Sequence, residues 1–183
     1  NHTSHLDAPS ILLAIRPRID RISLAAARDY LSRSPSLSWF LRTMLDAVPF
    51  DRQEEFLESL LALRRLIGVR RPLLVFPEGT RSSSGALQPF RTGVGLLAIE
   101  LDLPIVPVHV AGTREALPKN GRFPRRNRVS LNFGPPVEMA PYAARRERLG
   151  NYEVYREVTG QVRREIARLA GDGGEAGSGE ATN

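Results

Sequence analysis

The first seven residues, Asn1-His2-Thr3-Ser4-His5-Leu6-Asp7, set an imidazole and a carboxylate five positions apart. Folded together by a turn, the carboxylate fixes the imidazole tautomer and stabilises the cation formed when the other ring nitrogen takes a proton. A free imidazole titrates near ~6.5, so such a pair is a usable general base at neutral pH. Asp7 suits a second role as well, capping a helix that starts near Ala8, and one carboxylate can do both. A second cluster is Phe76-Pro77-Glu78-Gly79-Thr80-Arg81-Ser82, which places Glu and Arg three residues apart around a Gly-Thr turn. Gly79 permits close backbone approach, Thr80 and exposed amides offer hydrogen bonds to anionic oxygens, and Arg81 offers a planar fork for phosphate. The same residues also make an ordinary turn closed by a local Glu78–Arg81 ion pair, and both readings stand at this point. Between the two clusters, Val48-Pro49-Phe50-Asp51-Arg52 presents Arg52 at a strand end, either to a phosphate or as a surface arginine at a helix start.

Apolar, β-prone runs alternate with helical ones around these clusters, which is the pattern of an α/β domain. Helices are expected over 8–15, with Pro9 in the first turn, and over 36–46, which carries the only tryptophan. A third is expected over 53–68, where Phe56, Leu60, Leu63 and Ile67 recur at helical spacing and Gly68 closes the element. Further helices are expected over 92–101 and 147–170. Strands are expected over 21–25, 47–50, 73–76, 105–110 and 129–133, with Pro107 pointing to an edge or bulge in the fourth. A polar loop covers 82–88 and a basic one 114–128. Residues 1–170 then form the domain, and 171–183 (GDGGEAGSGEATN) a flexible tail or linker, lacking core-forming side chains.

The 183 residues suit one domain with a sizeable core, and 42% hydrophobic with 25% charged residues exclude a disordered chain. Cysteine is absent, so disulfides and thiolate chemistry are excluded, and imidazole chemistry has only His2, His5 and His109 to draw on. Lys+Arg exceed Asp+Glu by 26 to 20, and Lys119 is the only lysine. Such a surface suits anionic lipid or nucleic acid. No run of ~18 apolar residues is present to span a bilayer. Trp39, Phe40 and neighbouring leucines either form a membrane-facing apolar patch or belong to the core. Because the chain opens on Asn1 inside a motif, it is expected to be a piece of a longer protein.

The His-x4-Asp pair, Phe50-Asp51-Arg52, the Phe76–Ser82 block and Ile105-Val106-Pro107-Val108 occur in an order and spacing that resemble the 1-acylglycerol-3-phosphate acyltransferase (lysophospholipid acyltransferase) family. The resemblance runs from Asn1 to about Val137. It implies an α/β fold with a mixed, largely parallel central sheet flanked by helices. It also implies acyl transfer from an acyl thioester, on coenzyme A or acyl carrier protein, to the free hydroxyl of lysophosphatidic acid, giving phosphatidic acid. Another lysolipid or glycerol 3-phosphate, within a larger lipid-handling protein, is the alternative acceptor. By the resemblance His2 is the general base, Asp7 orients it and Asn1 helps shape the site. Arg52 binds the acceptor phosphate, Glu78, Gly79, Thr80 and Arg81 position the acceptor, and Arg91 after Phe90 adds a further phosphate contact. Pro107 shapes the acyl-donor side. His5 and His109 match no position of the pattern and are read as structural or surface residues.

No metal or bound cofactor is implied, and the expected location is the cytoplasmic face of a membrane, at an anionic bilayer surface. Two other classes were weighed. His2-x-x-His5-x-Asp7 offers three ligands to a metal hydrolase, but on a chain start with poor closure. The arginines of 114–128, with only Phe123 interleaved, suit a lipid-facing or solvated loop better than a nucleic-acid-binding module.

Overall fold

The computed structural model describes residues 1–15, 23–27, 47–50, 61, 63–65, 72–118, 121 and 123–175. The chain divides into two compact units, one made of Asn1–Ser10 with Phe76–Asn183 and the other of Ile11–Val75. Helix α1 (Asp7–Ile15) runs across the division in sequence.

The second unit holds three parallel strands, β1 (Ser23–Ala27), β2 (Ala47–Phe50) and β3 (Leu73–Leu74), in the order β2-β1-β3. Leu24 stands opposite both Ala47 and Leu74. Continuous apolar runs, rather than alternating ones, suit strands of a parallel sheet. β3 pairs over two residues instead of the expected four, because Pro72 and Pro77 bracket the run and neither has an N–H for the ladder. The helix expected over 53–68 is described at residues 61 and 63–65, which are helical, and Leu63 is fully buried. The helix expected over 36–46 lies outside the described residues.

The first unit is organised around a helix pair. In α2 (Gly93–Leu101) the residues Val94, Gly95, Leu97, Ala98 and Ile99 are buried. Of these, Gly95, Ala98 and Ile99 pack against the long helix α6 (Asn151–Glu175), whose Val154, Val158, Val162 and Ile166 recur every fourth position and are at most 4% exposed. That spacing lays one apolar stripe along the helix, and burying each such side chain stabilises by roughly 1.5–3 kcal/mol. Gly95 sets the approach: a Cβ there would lie 2.1 Å from the Tyr155 carbonyl oxygen and 2.8 Å from Thr159 Oγ1. Asp102 ends α2 in the left-handed conformation, φ 50°, with its N–H donating back to the helix.

An antiparallel pair, β4 (Val108–Ala111) and β5 (Ser130–Phe133), packs beside α6 with Val110 opposite Leu131. β4 begins only after Pro107, and Ile105 makes a single bridge to Val137, so the proline cuts the expected 105–110 strand short. Between them lie α3 (Thr113–Ala116) and the exposed loop that follows. Two short helices, α4 (Ala140–Ala143) and α5 (Arg146–Leu149), precede α6, and Gly150 at φ 81° separates α5 from it. The single closing helix expected from residue 147 is therefore broken there.

Its end also lies further on, at Glu175, five residues into the stretch expected as a flexible tail. Leu169, 6% exposed and accepting from Asn132 Nδ2 at 3.1 Å, docks that last part on β5. The α/β mixture is as expected, but the described strands form two ladders, one parallel and one antiparallel, rather than one mixed sheet.

Replacing Gly95 by Ala forces α2 and α6 apart and is expected to cost about 1–3 kcal/mol in chemical denaturation. Gly93→Ala, whose Cβ meets nothing within 4 Å, is the control and is expected to stay within about 0.5 kcal/mol of the parent. Equal stability of the two variants would contradict the close crossing.

Candidate active site

All the described candidate residues lie in the first unit, and its organising group is Asp7. The carboxylate is fully buried and accepts four hydrogen bonds. Oδ2 takes the His2 Nδ1–H at 2.8 Å, the Thr3 N–H at 2.6 Å and the Ser4 N–H at 2.8 Å, while Oδ1 takes the Thr113 hydroxyl at 2.5 Å. Asp7 is the first residue of α1, yet these bonds reach back to the preceding turn instead of forward into the helix. Of its two expected roles it fills the orienting one. Burial opposes ionisation, but the bonds from His2, Ser4, Thr113 and Thr3 outweigh it and hold the carboxyl below the ordinary carboxylate range.

His2 is fixed at ring and backbone alike. With Nδ1 committed to Asp7, Nε2 is the nitrogen left to exchange a proton, and the side chain keeps 19% exposure. Its ring stacks on Phe76, centroids 4.1 Å apart and planes 24° off parallel. The backbone N–H donates to Glu78 Oε1 at 2.6 Å, and the carbonyl accepts from the Ser82 N–H at 2.9 Å. The Phe76–Ser82 turn therefore clamps the histidine on both sides. Gly79 makes that turn possible with φ 69° and an N–H donating to the Phe76 carbonyl at 3.1 Å.

Glu78, 3% exposed, spends both oxygens on backbone: Oε2 accepts from the Gln88 N–H at 3.0 Å. That is a task the sequence reading did not give it. Thr80 is exposed and Arg81 half-buried at the same turn. Arg81 lies close enough to His5 that, after partial burial, its charge is the next cause of a lowered proton affinity there, followed by His2. Arg91 is exposed, with its N–H donating to the Pro77 carbonyl at 2.9 Å. Asn1 docks like an extra peptide on β4: its amide takes the Val110 N–H at 2.7 Å and gives to the Val110 carbonyl at 2.8 Å.

Pro107 is fully buried beside Gly134 and Leu169, so its influence runs through the course of β4. Arg52, Trp39 and Phe40 lie outside the described residues. His5 is exposed, and among the described residues no group of three or more acidic or histidine side chains is arranged to hold a metal ion. His109 is half-buried in β4, where burial lowers its proton affinity.

Sequence reasoning missed four contributors: Thr3, Ser4, Phe76 as a stacking partner, and Thr113. Ser4 is fully buried and ties the turn to the end of α3, donating to the Leu117 carbonyl at 2.7 Å. Two small hydroxyl residues between a His and an Asp were the available signal for Thr3 and Ser4. Thr113 had none, since it stands 106 residues from Asp7.

The buried acid, the clamped imidazole and the arginine-bearing turn thus lie together in the first unit. Residues 1–111 match the acyltransferase family, and the chain belongs to that family. It is similar to a chloroplastic 1-acyl-sn-glycerol-3-phosphate acyltransferase of Brassica napus, 29% identical over 125 residues, covering 64% of this chain and 33% of that protein. It is also similar to 1-acyl-sn-glycerol-3-phosphate acyltransferase alpha of Ovis aries, 32% identical over 112 residues, 56% of this chain and 39% of that one. The chain thus matches about a third of the length of these relatives. Its fold is similar to the crystal structure of the 1-acyl-sn-glycerophosphate (LPA) acyltransferase PlsC from Thermotoga maritima. That likeness has a TM-score of 0.59 at 21% identity and covers 100% of this chain and 66% of the other. No helix among the described residues is long and apolar enough to cross a membrane.

Because Asp7 is depressed in the fold, its stabilisation is present above the ordinary value of 3.8 and is lost as pH falls through the folded value. Asp7→Asn leaves buried donors facing an amide and is expected to cost about 2–4 kcal/mol at pH 7. In urea unfolding the gap between the two proteins should narrow below about pH 4. A gap that is constant from pH 7 to pH 3 would contradict an ionised Asp7.

Proposed function

We propose that this chain is the catalytic part of an enzyme that transfers an acyl group from an acyl thioester to the free hydroxyl of lysophosphatidic acid, giving phosphatidic acid. The observation that carries the reading is the His2 ring held at Nδ1 by a buried carboxylate, with Nε2 left over. In this reading Nε2 removes the acceptor's hydroxyl proton as the oxygen attacks the thioester carbonyl. The C–O bond forms, the C–S bond breaks and His2 returns the proton to the leaving thiolate. The acceptor is itself the nucleophile, so no acyl-enzyme is needed, and Asp7 stabilises the transient imidazolium. Holding the two substrates in line supplies much of the acceleration.

Arg81 and Arg91, with Arg52, grip the acceptor phosphate, and the Gly79–Thr80 backbone and hydroxyl complete its cradle. Glu78 acts by clamping His2, and Pro107 shapes the donor side through β4. The donor is carried by coenzyme A or acyl carrier protein, with neither a metal nor a bound cofactor. The enzyme works at the cytoplasmic face of a membrane, where its basic surface meets anionic lipid.

The test is thiol release from acyl-CoA and from acyl carrier protein thioester, each with lysophosphatidic acid, glycerol 3-phosphate or lysophosphatidylcholine, scored beside lipid product. Lysophosphatidic acid is expected to give the fastest release, one thiol per phosphatidic acid. Thiol release that needs no acceptor would make the protein a thioesterase and overturn the proposal. Arg81→Ala is expected to raise KM for lysophosphatidic acid about tenfold or more while leaving the donor KM unchanged. A change in the donor KM alone would place Arg81 on the other substrate.

A further inference from the structure

Thr113 stands at the first position of α3, two residues beyond the segment matched to the family. It is fully buried, and its hydroxyl donates to Asp7 Oδ1 at 2.5 Å. A hydroxyl has one proton to give, so toward Thr3 Oγ1, 3.3 Å away, Thr113 can only accept. The result is a directed chain from the Thr3 hydroxyl through Thr113 to the carboxylate, with His2 on the carboxylate's other oxygen.

The placement of Thr113 is built into the backbone. Gly112 turns the chain from β4 into α3 at φ 84°, and a Cβ there would lie 1.9 Å from the Arg128 carbonyl oxygen. Only glycine fits that position. The Gly112 carbonyl accepts from Asn127 Nδ2 at 2.8 Å and from the Ala116 N–H at 3.1 Å, which locks the turn. Two residues before Gly112, Val110 is tied to Asn1, so the strand that delivers Thr113 is registered against the residue next to His2.

We propose that Thr113 is a positioning residue for the acyl transfer: by holding Oδ1, it fixes the plane of the Asp7 carboxylate and so the direction in which His2 presents Nε2. The proposal rests on the reading of His2 as the base. Without the hydroxyl, Oδ1 is a buried acceptor with no donor, and only the bonds gathered on Oδ2 resist a turn of the carboxylate about its Cβ–Cγ bond. The ring follows the oxygen it is bonded to, and a base turned away from the reacting hydroxyl loses rate at the chemical step while substrate binding is untouched.

The experiment compares Thr113→Val, which keeps the shape but not the hydroxyl, Thr113→Ser, which keeps the hydroxyl, and His2→Ala, all in the full chain. Acceptor-dependent thiol release is the assay. Thr113→Val is expected to lower kcat about tenfold or more, with both KM values within about twofold, and Thr113→Ser to recover kcat to within about threefold. The downfield proton resonance of the His2 Nδ1–H bonded to Asp7 should move in the valine protein and stay in place in the serine protein. Thr113→Ala, free of any strain from a buried branched side chain, should lose kcat in the same way and serves if the valine protein does not fold.

A valine or alanine protein with the parental kcat, or a serine protein as impaired as they are, overturns the role of Thr113. A His2→Ala protein with the parental rate removes the base itself, and this proposal with it. An inactive His2→Ala beside a fully active Thr113→Val overturns Thr113 alone.

Discussion

The first unit is arranged around a carboxylate that has no contact with water. A buried anion is tolerable only when donors replace its hydration, and Asp7 has four, drawn from a ring, two backbone amides and a hydroxyl. Those donors come from segments more than a hundred residues apart, so satisfying one charge obliges the N-terminal turn and the start of α3 to meet. The same requirement presents His2 with a single usable nitrogen. The bonds that make the buried charge tolerable are therefore also the ones that orient the ring.

The other contacts at the site repeat that logic with the backbone as partner. Glu78 takes amides from His2 and Gln88, Ser82 gives an amide to His2, and Asn1 pairs with Val110 as a peptide would. The N-terminal turn is thereby stitched to the 76–82 turn and to β4 through backbone groups. Of the long side chains at the 76–91 segment, Arg81 is partly buried and Arg91 exposed. Elsewhere in the unit, the close α2–α6 crossing at Gly95 joins two helices through an aliphatic cluster.

Much of this was legible in the sequence because the signals are local. The four-residue rhythm of Val154, Val158, Val162 and Ile166 marks a helix, and the His-x4-Asp spacing marks the pair that the turn brings into hydrogen-bond contact. What was missed depends on partners distant in sequence or on one backbone dihedral. Thr113 is invisible until β4 is laid beside residue 1, and Gly150 breaks the closing helix through a φ that helical periodicity does not report. The short β3 was readable in hindsight from its flanking prolines. The reach of α6 to Glu175 was not, since glycine-rich composition argued against it and docking at Leu169 argued for it. Glu78 has a partner set that its residue type did not announce: buried, it accepts from two backbone N–H groups.

The central claim is that the acceptor's hydroxyl reacts at His2 Nε2. The most direct measurement is a crystal structure with lysophosphatidic acid and a non-cleavable thioether analogue of the acyl donor. The account predicts the free hydroxyl within hydrogen-bond reach of Nε2, about 2.6–3.2 Å, with Nδ1 still on Asp7. A hydroxyl bound elsewhere, or a His2 ring turned off Asp7 in the complex, would contradict it.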